Sequence, residues 1–233
     1  MISILGSEFY KLIHNRVLII SLFSGFILGI IVNIVYTDGW KSQVDIMSFI
    51  FPILLCLLVG CIWSIEYSDR TITYMLLSGK QKEKIFMCKV FSSFVTASVL
   101  FFVYVLGLLF SNSSVFLNFK YIGKMYIIPF CLNLAYTEII ILIAVLCKSF
   151  SKTVMAAALI MLFNIFIFKL SLLYGDHNIC IRFLGEYTYY GIYVLTYQTI
   201  GQSILLFRCI INFVMGFVAL LLAFIAFIKT NVH

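Results

Sequence analysis

Proline is almost absent from this chain. Pro52 and Pro129 are the two prolines in 233 residues, so little stands in the way of long helices. Charge is scarce as well: 11% of residues are Asp, Glu, Lys or Arg, against 64% hydrophobic. A water-soluble domain must cover itself largely with polar groups, and this composition leaves too few. It also leaves no room for a separate soluble domain. What remains is an α-helical membrane protein, in which backbone groups are satisfied inside each helix. The net charge of +7 would suggest nucleic acid for a soluble chain. Here it reads instead as basic loops held on the cytoplasmic face, and no nucleic-acid partner is expected.

The signatures of several chemistries are missing too. No GxxxxGK[ST] stretch occurs, so the chain carries no P-loop for ATP. No HExxH or CxxC occurs, and His14, His177 and His233 are scattered, so no metal site is expected. Spanning serines have no histidine near them in sequence, and no catalytic residues stand out. Six of the seven cysteines sit in or at the ends of apolar runs; Cys180 lies in a polar loop. They read as free thiols packing as small apolar groups.

What is present is a series of apolar runs of about 20 residues, the length that crosses a bilayer. They predict an all-α membrane protein, one transmembrane domain over 1–233 with six spans: 17–36, 46–65, 90–110, 125–147, 153–173 and 204–228. The first run is too long for a cleavable signal and is expected to be retained. Ahead of it, in residues 1–16, Ile4, Leu5, Phe9, Leu12 and Ile13 share a helical face with Glu8, Lys11 and Arg16 off it. That pattern predicts an amphipathic helix in the membrane interface. Pro52 is expected to bend the second span. The short loop Lys148–Lys152 predicts a tight hairpin between spans four and five. Segment 174–203 is too polar to span yet rich in tyrosine, which prefers the membrane–water boundary. Tyr190, Tyr193 and Tyr197 share a face there, predicting a short interfacial or re-entrant helix.

Lysine and arginine set the orientation. With the N-terminus inside, ten lie on the inner side (Lys11, Arg16, Arg70, Lys80, Lys82, Lys84, Lys89, Lys148, Lys152, Lys229) and six outside (Lys41, Lys120, Lys124, Lys169, Arg182, Arg208). The excess places both termini in the cytosol. Segment 66–89 is then cytosolic and the tyrosine-rich segment external.

A few residues in the spans stand out. Glu138, mid-span, is costly unless neutral, paired or wet. It reads either as a contact for a cationic or polar substrate or a proton, or as a partner in an interhelical hydrogen bond to Asn164 or Tyr136. Asn164 by itself reads as packing glue. Gly25 and Gly29 form a GxxxG pair, and Ala156–Ala158 a smooth patch, both suited to close helix contact. Lys169 and Arg208 lie near span ends, within snorkelling reach of the headgroups.

The longest charged stretch is 66–89, EYSDRTITYMLLSGKQKEKIFMCK. Ile72, Met75 and Leu76 share one helical face in its centre. Glu66 stands where the second span leaves the membrane, followed by Thr71, Leu76-Leu77, Lys82 and Lys89. With these residues and the six-span layout, nearly the whole chain resembles the membrane subunits of type-2 ABC exporters. In that family an acidic residue is followed by Gly-Thr, Leu-Leu, Pro-x-Ser-Arg and a later lysine. Here Arg70 replaces the glycine, Gly79 the proline, and Lys82 the arginine.

The resemblance implies a transport subunit and no enzyme in its own right. Two separate ATPase subunits, holding ATP and Mg, would dock on a coupling helix near Thr71–Lys80, with Glu66, Arg70, Thr71, Leu76, Leu77, Lys80 and Lys82 at the contact. This chain itself would bind no cofactor. A second permease subunit, identical or similar, would complete the pathway. Gly25, Gly29 and Ala157 would lie at that subunit contact, because the first and fifth spans often form it. Tyr190, Tyr193 and Tyr197 would form an external gate, and Glu138 and Asn164 would line the substrate path. Small permeases of this kind resemble those of antimicrobial-peptide and lantibiotic export or immunity systems, in a bacterial plasma membrane. The alternatives are a membrane enzyme acting on lipid or peptide, the membrane subunit of an importer, and a passive scaffold.

Overall fold

The computed structural model describes residues 2–35, 41–68, 72, 75, 79, 81–110, 126–175, 178–188, 190–192 and 202–229; side chains at 2–4, 32–35, 41–49, 65, 66, 68 and 202–206 are outside this description. Among the described residues every regular element is a helix. The elements are α1 (Ile2–Ile13), α2 (Arg16–Val35), α3 (Lys41–Ser68), α4 (Lys82–Phe110), α5 (Ile128–Cys147), α6 (Phe150–Tyr174), α7 (Ile179–Tyr187) and α8 (Gln202–Lys229).

Among the described residues four helices are long and apolar enough to cross a membrane: α4, α5, α6 and Phe207–Lys229 of α8. A fifth crossing results if α1 and α2 count as one span, bent by 64° at the break after Ile13. Within α3 the apolar stretch is Ile50–Ser64. The chain thus has the build of a multi-pass helical membrane protein.

The break between α1 and α2 has a local cause. Asn15 turns its Oδ1 to the Val17 amide, capping the start of α2, and its Nδ2 reaches Cys61 Sγ on α3 at 3.4 Å. The sequence expectation had Glu8 off the buried face of α1. It is instead 3% exposed, whereas Ile13 is 66% exposed. Glu8 is buried beside Leu12 and Phe9 because it meets a buried lysine of α4, described below.

Helices α3, α4 and α5 form the centre. The core cluster joins Phe51, Leu55, Trp63, Phe86, Leu100, Tyr136, Ile140 and Phe227. Pro52 lies inside α3 and is buried. Helix α2 packs along α4 in parallel: Gly25 meets Leu100, and Gly29 meets Tyr104 and Gly107. A methyl on Gly29 would overlap the Tyr104 carbonyl, and one on Gly107 the Phe26 carbonyl. Two glycines therefore let these backbones touch.

The α5–α6 hairpin is tighter than expected. Lys148 takes the left-handed conformation at φ 50° and its N–H donates to the Ala144 carbonyl. Ser149 then begins α6, so two residues make the whole connection. The helix of the third span also reaches back beyond its apolar run: α4 starts at Lys82, ahead of Val90. Nothing between those positions breaks a helix, and Glu83 favours its first turn. Lys89 consequently lies inside the helix.

Candidate functional site

One end of the bundle gathers the end of α3, the start of α4, the end of α8 and helix α1. Lys82 Nζ donates to the Ile228 carbonyl at 3.0 Å, one of the last free carbonyls of α8. Phe86 lies between Trp63 of α3 and Phe224 and Phe227 of α8, with ring centroids 5.3–5.5 Å apart. Trp63 donates its Nε1–H to Ser93 Oγ at 3.0 Å, and that hydroxyl donates in turn to the Lys89 carbonyl.

Lys89 is fully buried in this knot. Its ammonium lies 4.0 Å from Glu8 Oε2, 3.4 Å from the Ile62 carbonyl and 5.4 Å from the centroid of the Trp63 ring. Lys11 stands 3.5 Å from the other Glu8 oxygen. A buried ammonium is costly unless anions and carbonyls surround it, and here the carboxylate comes from α1 and the carbonyl from α3. The sequence signal was Lys89 itself, flanked by Cys88 and Val90 in an apolar run, but no spacing named its partner.

Between α3 and α4, the described residues include Ile72, Met75 and Gly79. Ile72 and Met75 are helical and buried, 2% and 8% exposed, and belong to the same core cluster as Trp63 and Phe227. Gly79 makes a turn at φ 79°, a conformation that favours glycine. Glu66 lies inside α3. Arg70, Thr71, Leu76, Leu77 and Lys80 lie outside the described residues.

Helices α5 and α8 form the closest long seam and run parallel. Glu138 is buried and its carboxylate sits against Gly216 of α8, where a methyl would overlap Glu138 Oε2. Among the described residues that oxygen has no hydrogen-bond partner. Of the two expected partners, Tyr136 is bonded to another helix: it donates to the Ala157 carbonyl of α6 at 3.4 Å. Gly216 was not singled out from the sequence; a lone glycine in an apolar helix carries no sign of what it faces.

The residues expected at a subunit contact are occupied within the chain. Gly25 and Gly29 pack on α4, and Ala157 is fully buried.

At the opposite end, Asn178 caps α7 by accepting from the Cys180 and Ile181 amides. A short helix thus runs over Ile179–Tyr187, and Tyr190, at the expected tyrosine face, is also helical. Gly185 lets α7 lie against Ser171 of α6. Tyr190 stacks edge-on to Phe168, centroids 5.5 Å apart; Tyr193 and Tyr197 lie outside the described residues. Arg208 is 7% exposed and its Nη2 donates to Glu186 Oε2 at 2.7 Å.

No family model matches the chain, and no curated protein matches it.

Proposed function

We propose that this chain is the membrane subunit of an ATP-driven exporter of the type-2 ABC kind. It would move a hydrophobic or amphipathic substrate, an antimicrobial peptide being the best fit, out of the cell or its membrane. The observation that supports this most is the seating of Ile72 and Met75 in the core shared by α3, α4 and α8. A soluble partner pressing on segment 69–81 would move three helices as a unit, as a coupling element requires. Lys82, hooked to the end of α8, adds a second attachment.

On this reading the chain makes six crossings with both termini in the cytosol of a bacterium. Helix α1 lies in the inner interface, and α7 with the residues after it forms the external segment and gate. Two ATPase subunits hold ATP and Mg and dock at Arg70, Thr71, Leu76, Leu77, Lys80 and Lys82. A second permease subunit completes the pathway. Because the Gly25–Gly29 face and Ala157 are filled internally, the exposed faces of α2 and α6, with Phe23 and Phe163, supply the subunit contact. Glu138 receives a cationic group of the substrate, since a buried carboxylate oxygen in a membrane calls for a proton or a cation.

The test is transport in inside-out vesicles prepared from the native host, with a fluorescent cationic amphipathic peptide. ATP-dependent accumulation inside such vesicles, lost when the gene is deleted, supports export. Accumulation only in right-side-out vesicles would make it an importer. Chemical conversion of the peptide or lipid without movement would make it an enzyme.

A further inference from the structure

The α5–α8 seam carries a second feature besides Glu138 and Gly216. Toward its start each helix contributes a cysteine, Cys131 from α5 and Cys209 from α8. The contact at Gly216 sets the register between them. A methyl there would meet the Glu138 carboxylate and the Ala135 carbonyl, so the two backbones lie side by side at that level. Cys131 precedes Glu138 by two helical turns, and Cys209 precedes Gly216 by the same two turns. The helices run parallel, and two turns return a side chain to the same face. Cys131 therefore faces Cys209 as Glu138 faces Gly216. The two thiols are close enough for the charge of one to act on the other.

Exposure sets this pair apart. Cys56, Cys61 and Cys88 are buried, whereas Cys131 and Cys209 are each half-buried, open to a small reagent. Cys147 is half-buried too, but it ends α5 at the opposite end of the bundle. Both thiols of the pair are free in the structure. A disulfide needs Cα atoms within about 7 Å, and the close backbone approach that Gly216 permits suits that requirement.

We propose that Cys131 and Cys209 are a redox pair whose disulfide locks the starts of α5 and α8 together. The oxidant is a small-molecule disulfide. One thiolate of the pair attacks a sulfur of the reagent, breaking its S–S bond and releasing one thiolate. The other cysteine then attacks the mixed disulfide, forms the Cys131–Cys209 bond and expels the second thiolate. The two cysteine protons end on the two released thiols, and the pair loses the two electrons that the reagent gains. The lock crosses the seam that holds Glu138, so the oxidised chain keeps α5 and α8 from separating there. On the orientation proposed above this end faces outside, where disulfides persist. The pairing itself does not rest on the export reading.

Oxidised glutathione, added to native membranes holding the full chain, tests this. Free thiols are then alkylated, and the chain is digested without reductant for peptide mass spectrometry. The wild type is expected to give linked Cys131 and Cys209 peptides, lost on adding dithiothreitol. Cys180→Ser should give the same link, and Cys209→Ser should leave Cys131 carrying a single glutathione. Separate alkylation or glutathione adducts at the two cysteines of the folded wild type, with no linked peptides, would overturn the proposal. The oxidised wild type should also melt at a higher temperature than the reduced one, with no such shift in Cys209→Ser; an equal shift in both would overturn the lock. Sealed vesicles separate this from the orientation, because glutathione does not cross the bilayer. Linkage from the outer side alone is expected; linkage from the inner side alone would support the pair and overturn the orientation.

Discussion

Glu8 and Lys89 form a buried ion pair, 4.0 Å apart, between the first helix and the first turns of α4. Neither has water to hydrate it. The pair ties α1 to the end of the bundle where α3 finishes and α4 begins. It makes α1 a keyed part of the bundle as well as an amphipathic surface.

Breaking that pair on one side should therefore cost more than removing it. Lys89→Met or Glu8→Gln alone leaves a buried charge, a loss of about 3–5 kcal/mol in comparable settings. Lys89→Met combined with Glu8→Leu should recover much of it. Thermal unfolding of the detergent-solubilised chain checks this. Additive losses in the double variant would show that the two residues do not act as a pair.

The α2–α4 crossing depends on close backbones. Gly29→Leu should overlap the Tyr104 carbonyl and force the helices apart, and Gly107→Leu should do the same at Phe26. Overpacking of this kind costs about 1–3 kcal/mol. Gly6, where a side chain would meet nothing, is the control: Gly6→Ala should leave the melting temperature unchanged or raise it.

Glu138 and Gly216 make a further cycle. Gly216→Ala should destabilise the α5–α8 seam, and Glu138→Ala in the same chain should relieve it, because the methyl then has space. Transport reads the charge: Glu138→Gln should slow export of a cationic peptide about tenfold, roughly 1.4 kcal/mol of binding, and spare a neutral analogue. Equal loss for both peptides would make the residue a packing element only.

In segment 66–89, charge reversal at Arg70 or Lys82 should lower peptide-stimulated ATPase activity and leave the fold intact. Lys82→Met, which removes the bond to the Ile228 carbonyl without reversing the charge, should have the smaller effect. Wild-type coupling in Arg70→Glu and Lys82→Glu would remove the coupling role from this stretch.

The helices were legible in the sequence because a bilayer forces the issue: an apolar run of span length must satisfy its backbone internally. The hairpin after Cys147 was legible from its shortness, and the helical face of Ile72 and Met75 from spacing. What spacing could not reveal were pairings between distant helices. Glu8 fell off the apolar face by periodicity, yet the need of Lys89 for an anion turned it inward. Arg208 was placed near the headgroups as a snorkelling residue, and its bond to Glu186, brought close by the fold of α7, had no sign in the sequence. Gly216 had no signal at all until a carboxylate was seen against it. The helix that carries the third span reaches back beyond the apolar run to Lys82, because charged residues 82–89 continue a helix as readily as apolar ones when no proline or glycine intervenes.

The central claim is that segment 69–81 receives an ATPase. The most direct measurement is gentle purification of the tagged chain from its own host, followed by mass spectrometry of the intact complex. The account predicts a P-loop ATPase in stoichiometric amount, released when Arg70 and Lys82 are reversed in charge. A folded chain that comes away with no ATPase would contradict it.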